Sequence, residues 1–151
     1  MDKNGILITL SESAQTDFNK KDFIAQSMSQ RVFSAIWAVE SEVNNGGFSQ
    51  YFLNHSCGTA GFMAPALETI GAPRTADICK RAIAVAFPAG LPSNPEDISS
   101  AAPDFSSETE AQLNELDNEF FQYPHNLTEL LFAYVSSHPE EFGKLPEPDD
   151  A

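Results

Sequence analysis

The chain reads as an all-α protein, on three observations. Apolar residues recur at helical spacing between positions 28 and 43, two polar cap signatures open later segments, and no second strand pattern accompanies Ile6–Leu10. With 151 residues and 42% apolar content, it is expected to form one compact domain, 1–151, of about five to seven helices with one long Pro-rich loop.

Ile6 to Leu10 reads as an extended or capping segment rather than half of a sheet. From 28 to 43, Met28, Val32, Ile36, Val39 and Val43 step by 3 or 4, and Phe33 and Trp37 widen the stripe. Asn44-Asn45-Gly46-Gly47 should stop this helix, with glycine supplying a left-handed conformation, and a short helical piece should follow over 48–54. Helices are expected over 61–70, closed by Gly71, and over 73–87, with Pro73 at the first position. Pro88, Pro92, Pro95 and Pro103 mark 88–106 as the long loop. Ser107-x-x-Glu110 reads as a capping box opening 107–122, and Asn126-x-x-Glu129 opens 127–136. Pro139 to Phe142 adds a turn, and 143–151 is expected to be a flexible acidic tail.

The charge is segregated. Fourteen of the 22 acids lie in residues 92–151, beside a single base, Lys144, so this segment carries 13 of the 14 net negative charges. Such a field repels nucleic acid and anionic membranes, which argues against either as a direct partner, and it attracts basic proteins. The longest apolar stretch, 82–92, is too short to span a bilayer, and Ile6-Leu7-Ile8 is too short for a secretion signal. Cys57 and Cys79 form no CxxC pair and read as reduced cytoplasmic thiols.

The densest acidity falls on the expected helix 107–122. Its wheel buries Leu113, Leu116 and Phe120, groups Glu108, Glu115 and Glu119 on a neighbouring face, and places Glu110 and Asp117 on the other flank. Two readings stand: a solvated face, or a face presented to a partner. Glu115 and Glu119 form a like-charge i,i+4 pair, which is mildly destabilising, and no base lies nearby in sequence. Asp104, Glu129, Glu140 and Glu141 extend the candidate surface.

Elsewhere, Asn45, Gly46, Gly47, Gln50 and Asn54 read as a helix stop or as a small polar pocket. Glu40 falls inside the apolar face of its helix and must be paired or neutral; a bond to Arg, Asn or a helix N-terminus is the structural reading, acid/base work the functional one. His55, Cys57, His125 and His138 lack metal-ligand spacing, and no phosphate-loop, GxSxG, HExxH or EF-hand pattern points to a cofactor, a metal or a catalytic residue.

At Glu42-Val43-Asn44-Asn45-Gly46-Gly47-Phe48-x-Gln50-Tyr51-Phe52-x-Asn54 the chain resembles the DNA-mimic-protein family of small, mostly bacterial domains. The likeness continues at Ala66-Leu67-x-x-Ile70-Gly71-Ala72, Phe87-Pro88, Leu116-Asp117-x-x-Phe120-Phe121, Leu130-Leu131-x-x-Tyr134 and Phe142, and covers residues 28–142. It implies an all-helical fold and, from a relative that displaces DNA from a transcription factor, a non-enzymatic acidic protein that blocks the DNA site of a basic DNA-binding protein. Mimicry would rest on surface acids outside the shared motif; Asp117 alone lies in both. A ligand- or peptide-binding module built on the Asn-Gly-Gly-Phe region is the alternative, an enzyme ranks third, and a homodimer stays open.

Overall fold

The longest apolar stripe in the chain becomes the helix around which the others pack. The computed structural model describes residues 1–12 and 21–149. Among them lie eight α-helices and no strand: α1 (Lys3–Ser11), α2 (Met28–Leu53), α3 (Ala60–Thr69), α4 (Pro73–Ala86), α5 (Pro95–Ala101), α6 (Ser107–Phe121), α7 (Leu127–Ser136) and α8 (Pro139–Phe142). Short 3-10 turns occupy Phe23–Ala25, His55–Thr59 and Ala102–Asp104. The all-α expectation holds.

A full capping box opens α2: the Ser27 side chain accepts from the Gln30 N–H, and the Gln30 side chain accepts from the Ser27 N–H. Val32, Phe33, Ile36, Val39 and Val43 then face the core, each contributing roughly 1.5–3 kcal/mol by leaving water. Met28 departs from the expected stripe. It sits in the first turn, 63% exposed, before the helix reaches its neighbours.

The expected break at the glycine pair is present. Gly47 has φ 81 and ψ −179, a conformation open essentially to glycine, and helix resumes at Phe48. A restarted helix has unsatisfied N–H groups, and Asp117 of α6 meets one: the Phe48 N–H donates to Asp117 Oδ1 at 2.8 Å. The second half of α2 then buries Phe48, Tyr51 and Phe52. Phe48 meets Phe120 edge-on at 6.0 Å, and Phe52 meets Phe87 at 5.5 Å and Phe105 at 6.2 Å. Both α3 and α6 therefore dock on α2, and α4 packs against both α3 and α6.

Two helices depart from the sequence expectation. Residues read as extended form α1, where Asp2 accepts from the Gly5 N–H at 2.7 Å and Ile6, Leu7 and Leu10 are buried, with the helix packed on α7. The stretch read as one long loop contains α5 and a 3-10 turn. Pro95 and Pro103 stand in first turns, where the missing N–H costs nothing, Asn94 caps the Glu96 N–H, and Ile98 and Ala102 are buried. The cap of α6 is shifted by one residue: Ser106, not Ser107, accepts from the Thr109 N–H at 3.1 Å, and no reciprocal bond from Glu110 closes a box.

Other ends follow their signals. At the close of α3, Ala72 N–H reaches Leu67 O and Gly71 N–H reaches Glu68 O, with Gly71 at φ 91. Asn126 caps α7 through the Glu129 N–H at 3.1 Å. Beyond α8, Leu145 packs against the core, while the Asp149 N–H donates to Met1 O and its carboxylate pairs with the Met1 ammonium. Asp150 and Ala151, counted in the expected tail, lie outside the described residues.

A Cβ on Gly47 would run into the Asp117 carboxylate as well as strain the backbone. Gly47→Ala is therefore expected to lower stability by about 3 kcal/mol, the sum of a glycine-only conformation and a displaced cap. Asp117→Asn, which keeps an acceptor, should lose less than half of that. Urea unfolding checks both, and a Gly47→Ala midpoint equal to wild type sinks the account.

Candidate partner-binding surface

Helix α6 is a ridge with two acidic flanks, because its buried line of Leu113, Leu116 and Phe120 lies between α2 and α4. Glu110 and Asp117 fall toward α2, and Glu108, Glu115 and Glu119 toward α4. The two sets behave differently.

On the α2 flank the acids are used internally. Asp117 holds Phe48; burial raises its pKa from the ordinary carboxylate value, opposed by that N–H bond. Glu110 accepts from Ser49 Oγ at 2.5 Å. On the α4 flank, Glu119 receives both guanidinium nitrogens of Arg81, Nη1 at 2.9 Å and Nη2 at 2.7 Å, which lowers its pKa. Arg81 also holds Asp77 at 3.0 Å. The Arg81 and Glu119 side chains are 44% and 45% exposed, so their pairing contributes less than about 1 kcal/mol to stability. The sequence expectation of an uncompensated face is thus corrected at Glu119: its base comes from α4, 38 residues away.

Glu108 and Glu115 have no side-chain partner among the described residues. Glu108 stands in the first turn of α6, where the helix dipole favours a carboxylate. Glu115 has no such support. The remaining expected acids scatter. Glu129 pairs with Lys3 of α1 at 2.7 Å, Glu140 and Glu141 lie in the first turn of α8, and Asp104 ends the 3-10 turn before α6. Of the nine, Glu108, Glu115 and Glu119 line one cavity together.

That cavity is an open groove of about 690 Å³ between α4 and α6, lined by Glu108, Thr109, Gln112, Glu115, Leu116 and Glu119 from α6 and by Arg81, Ala84, Val85 and Pro88 from the end of α4 and just beyond it. Beyond the Arg81–Glu119 bridge a second recess of about 590 Å³ continues past Arg74, Ile78 and Gln122.

The Asn-Gly-Gly-Phe region gathers differently from the expected pocket. Glu42, which the sequence reading did not single out, accepts from Gln50 Nε2 at 3.0 Å and Asn54 Nδ2 at 2.8 Å. Its spacing of 8 and 12 residues from them was the available signal. Gly46 leaves room for Gln50 to fold back over it, and Asn45 is exposed. Asn54 instead edges a separate recess of about 850 Å³ with Phe23, Ile24, Leu53 and Cys57.

The Glu40 carboxylate is bonded, but to none of the expected partners; Asn44 reaches only its backbone carbonyl, at 2.9 Å. The Tyr123 hydroxyl donates to Glu40 Oε1 at 3.0 Å and accepts from Asn44 Nδ2 at 2.6 Å. Tyr123 closes α6 in a left-handed conformation, φ 46, and burial pushes its hydroxyl up to about 12. Cys57 and Cys79 are free and buried, with the Cys79 thiol raised to about 12 by desolvation. Among the described residues no group of three or more His, Cys, Asp or Glu side chains could hold a metal ion, and no helix is long and apolar enough to cross a membrane.

Residues 25–138 match the family described as DMP19-like protein. No curated protein and no solved structure matches the chain.

Burial raises the pKa of Glu40, while the Tyr123 hydroxyl bond lowers it. A net raised value means that ionised Glu40 costs stability at neutral pH, and that the cost disappears as pH falls through the carboxylate range. Glu40→Gln keeps an acceptor for Tyr123 without the charge. Its urea midpoint is expected to exceed wild type at pH 7, with the advantage shrinking on acidification; a lower midpoint at pH 7 contradicts this.

Proposed function

The chain belongs to the DMP19-like protein family, and on that premise we propose that it is a non-enzymatic DNA mimic whose α6 edge occupies the nucleic-acid site of a basic DNA-binding protein. The reading places it in a reducing cytoplasm, as a regulator of transcription-factor binding. One observation carries it. Glu115 is exposed, outside the first turn and without a side-chain partner among the described residues, while its neighbour one turn on, Glu119, is already held by Arg81.

Glu108 lies on the same edge. Along the axis, Glu119 rises about 6 Å above Glu115, a step on the scale of neighbouring backbone phosphates, and Glu115 about 10 Å above Glu108. Thirteen of the 14 net negative charges belong to residues 92–151, so the field behind that edge steers a basic partner toward it. Screening shortens that reach as salt rises.

The alternative, a ligand site at the Asn-Gly-Gly-Phe region, is weakened by the bonds already made there. Gln50 and Asn54 are held by Glu42, and Gly47 serves the restart of α2.

The test is displacement of DNA from basic DNA-binding proteins, followed by binding of whichever is released. Glu108→Gln with Glu115→Gln should weaken that complex about tenfold or more, roughly the 1–2 kcal/mol of two lost contacts with opposite charge. Affinity should fall between low and physiological salt. Stability of the double variant should stay within about 1 kcal/mol of wild type, since Glu108→Gln gives up only the favourable first-turn charge. Unchanged affinity in the double variant, at every salt concentration, rules mimicry out.

A further inference from the structure

We propose that the groove between α4 and α6 receives arginine side chains from a helix of the partner, so that recognition there is by insertion as well as by field. The proposal rests on the mimicry reading and names the chemistry of the partner at that site.

The groove joins two features that a carboxylate row on a bare helix would lack. Apolar Ala84, Val85, Pro88 and Leu116 share its lining with Thr109, Gln112 and the unpaired Glu108 and Glu115. An arginine needs both: an apolar surface for its methylene stem and a carboxylate for its weakly hydrated, planar head. Lysine, a strongly hydrated point charge, gains less from such a mixed lining. The volume, about 690 Å³, exceeds what one side chain fills.

The protein already places one guanidinium in this groove. Arg81 reaches from α4 and meets Glu119 through two bonds of 2.9 and 2.7 Å. Carboxylates on this edge of α6 therefore accept a fork from the α4 side. Glu115 repeats the position of Glu119 one turn earlier, and Glu108 lies two turns earlier again, both without a guanidinium of their own. Seven residues separate Glu108 from Glu115, about 10 Å of helix rise. A partner helix lying along the groove matches that interval with arginines at i and i+7.

The experiment uses the full chain and three helical Ala/Gln-based peptides of equal charge, titrated by calorimetry. One carries arginines at i and i+7, one lysines at those positions, and one arginines at i and i+5. The first is expected to bind at least fivefold tighter than either of the others. Ala84→Tyr, a neutral change at an exposed groove position, should erase that preference, with its melting curve checking the fold. Equal affinity for all three peptides overturns the proposal and leaves mimicry standing if Glu108→Gln with Glu115→Gln weakens all three together. A preference that survives Ala84→Tyr in a folded protein overturns it too. Should the tyrosine variant fail to fold, the peptide comparison decides alone. If the double glutamine variant binds every peptide and the displaced DNA-binding protein as wild type does, the mimicry reading fails with the groove.

Discussion

The structure turns on one hydrogen bond across a helix break. Gly47 interrupts α2 in a conformation that excludes side chains, and the N–H of Phe48, left without an intrahelical acceptor, is met by Asp117 of α6 at 2.8 Å. An unmet N–H at that depth costs on the order of 1–3 kcal/mol, so the break requires an acceptor from elsewhere in the chain. The acceptor fixes more than a helix end. It sets the rotation of α6 about its own axis, because Asp117 must face α2. With that angle fixed, Leu113, Leu116 and Phe120 pack inward, and the edge holding Glu108, Glu115 and Glu119 turns toward α4.

The partition of charge follows from the same geometry. Acids on the α2 flank are absorbed into the scaffold, Asp117 by Phe48 and Glu110 by Ser49. On the α4 flank Arg81 neutralises Glu119, and the two remaining glutamates face an open groove. Self-repulsion in so acidic a segment opposes compaction. It is offset by a core that joins nearly every helix through buried aliphatic and aromatic side chains, with Phe48, Phe52, Phe87, Phe105 and Phe120 in edge-on contact.

Much of this was legible in the sequence where the signal is local. The apolar stripe of α2, the break at Gly46-Gly47, the glycine closing α3, Pro73 opening α4 and Asn126 opening α7 are matters of period and cap, decided within a few residues. The inward line of α6 and its two acidic flanks came from the wheel alone. Short helices held by tertiary burial were not legible: α1 and α5 each bury one to three aliphatic residues, too few to establish a period, and prolines in first turns look like loop markers. Side-chain partners were hidden for another reason. Asp117 meets Phe48 across 69 residues, Tyr123 meets Glu40 across 83, and Arg81 meets Glu119 across 38, and no local pattern encodes such pairings.

The family motif and the proposed function therefore occupy opposite sides of one helix. Asp117, the one motif acid among residues 92–151, is committed to Phe48, so its carboxylate is not free to meet a partner. Changing it would alter the scaffold first and the field second. Glu115 has the reverse character, since nothing inside the protein leans on it and its charge acts outward. Asp117 thus holds the orientation of α6 and leaves free the α4-facing edge, the one that the proposed function assigns to a partner. Under the proposed function, a partner is selected by the charges of that edge and by the groove beside it.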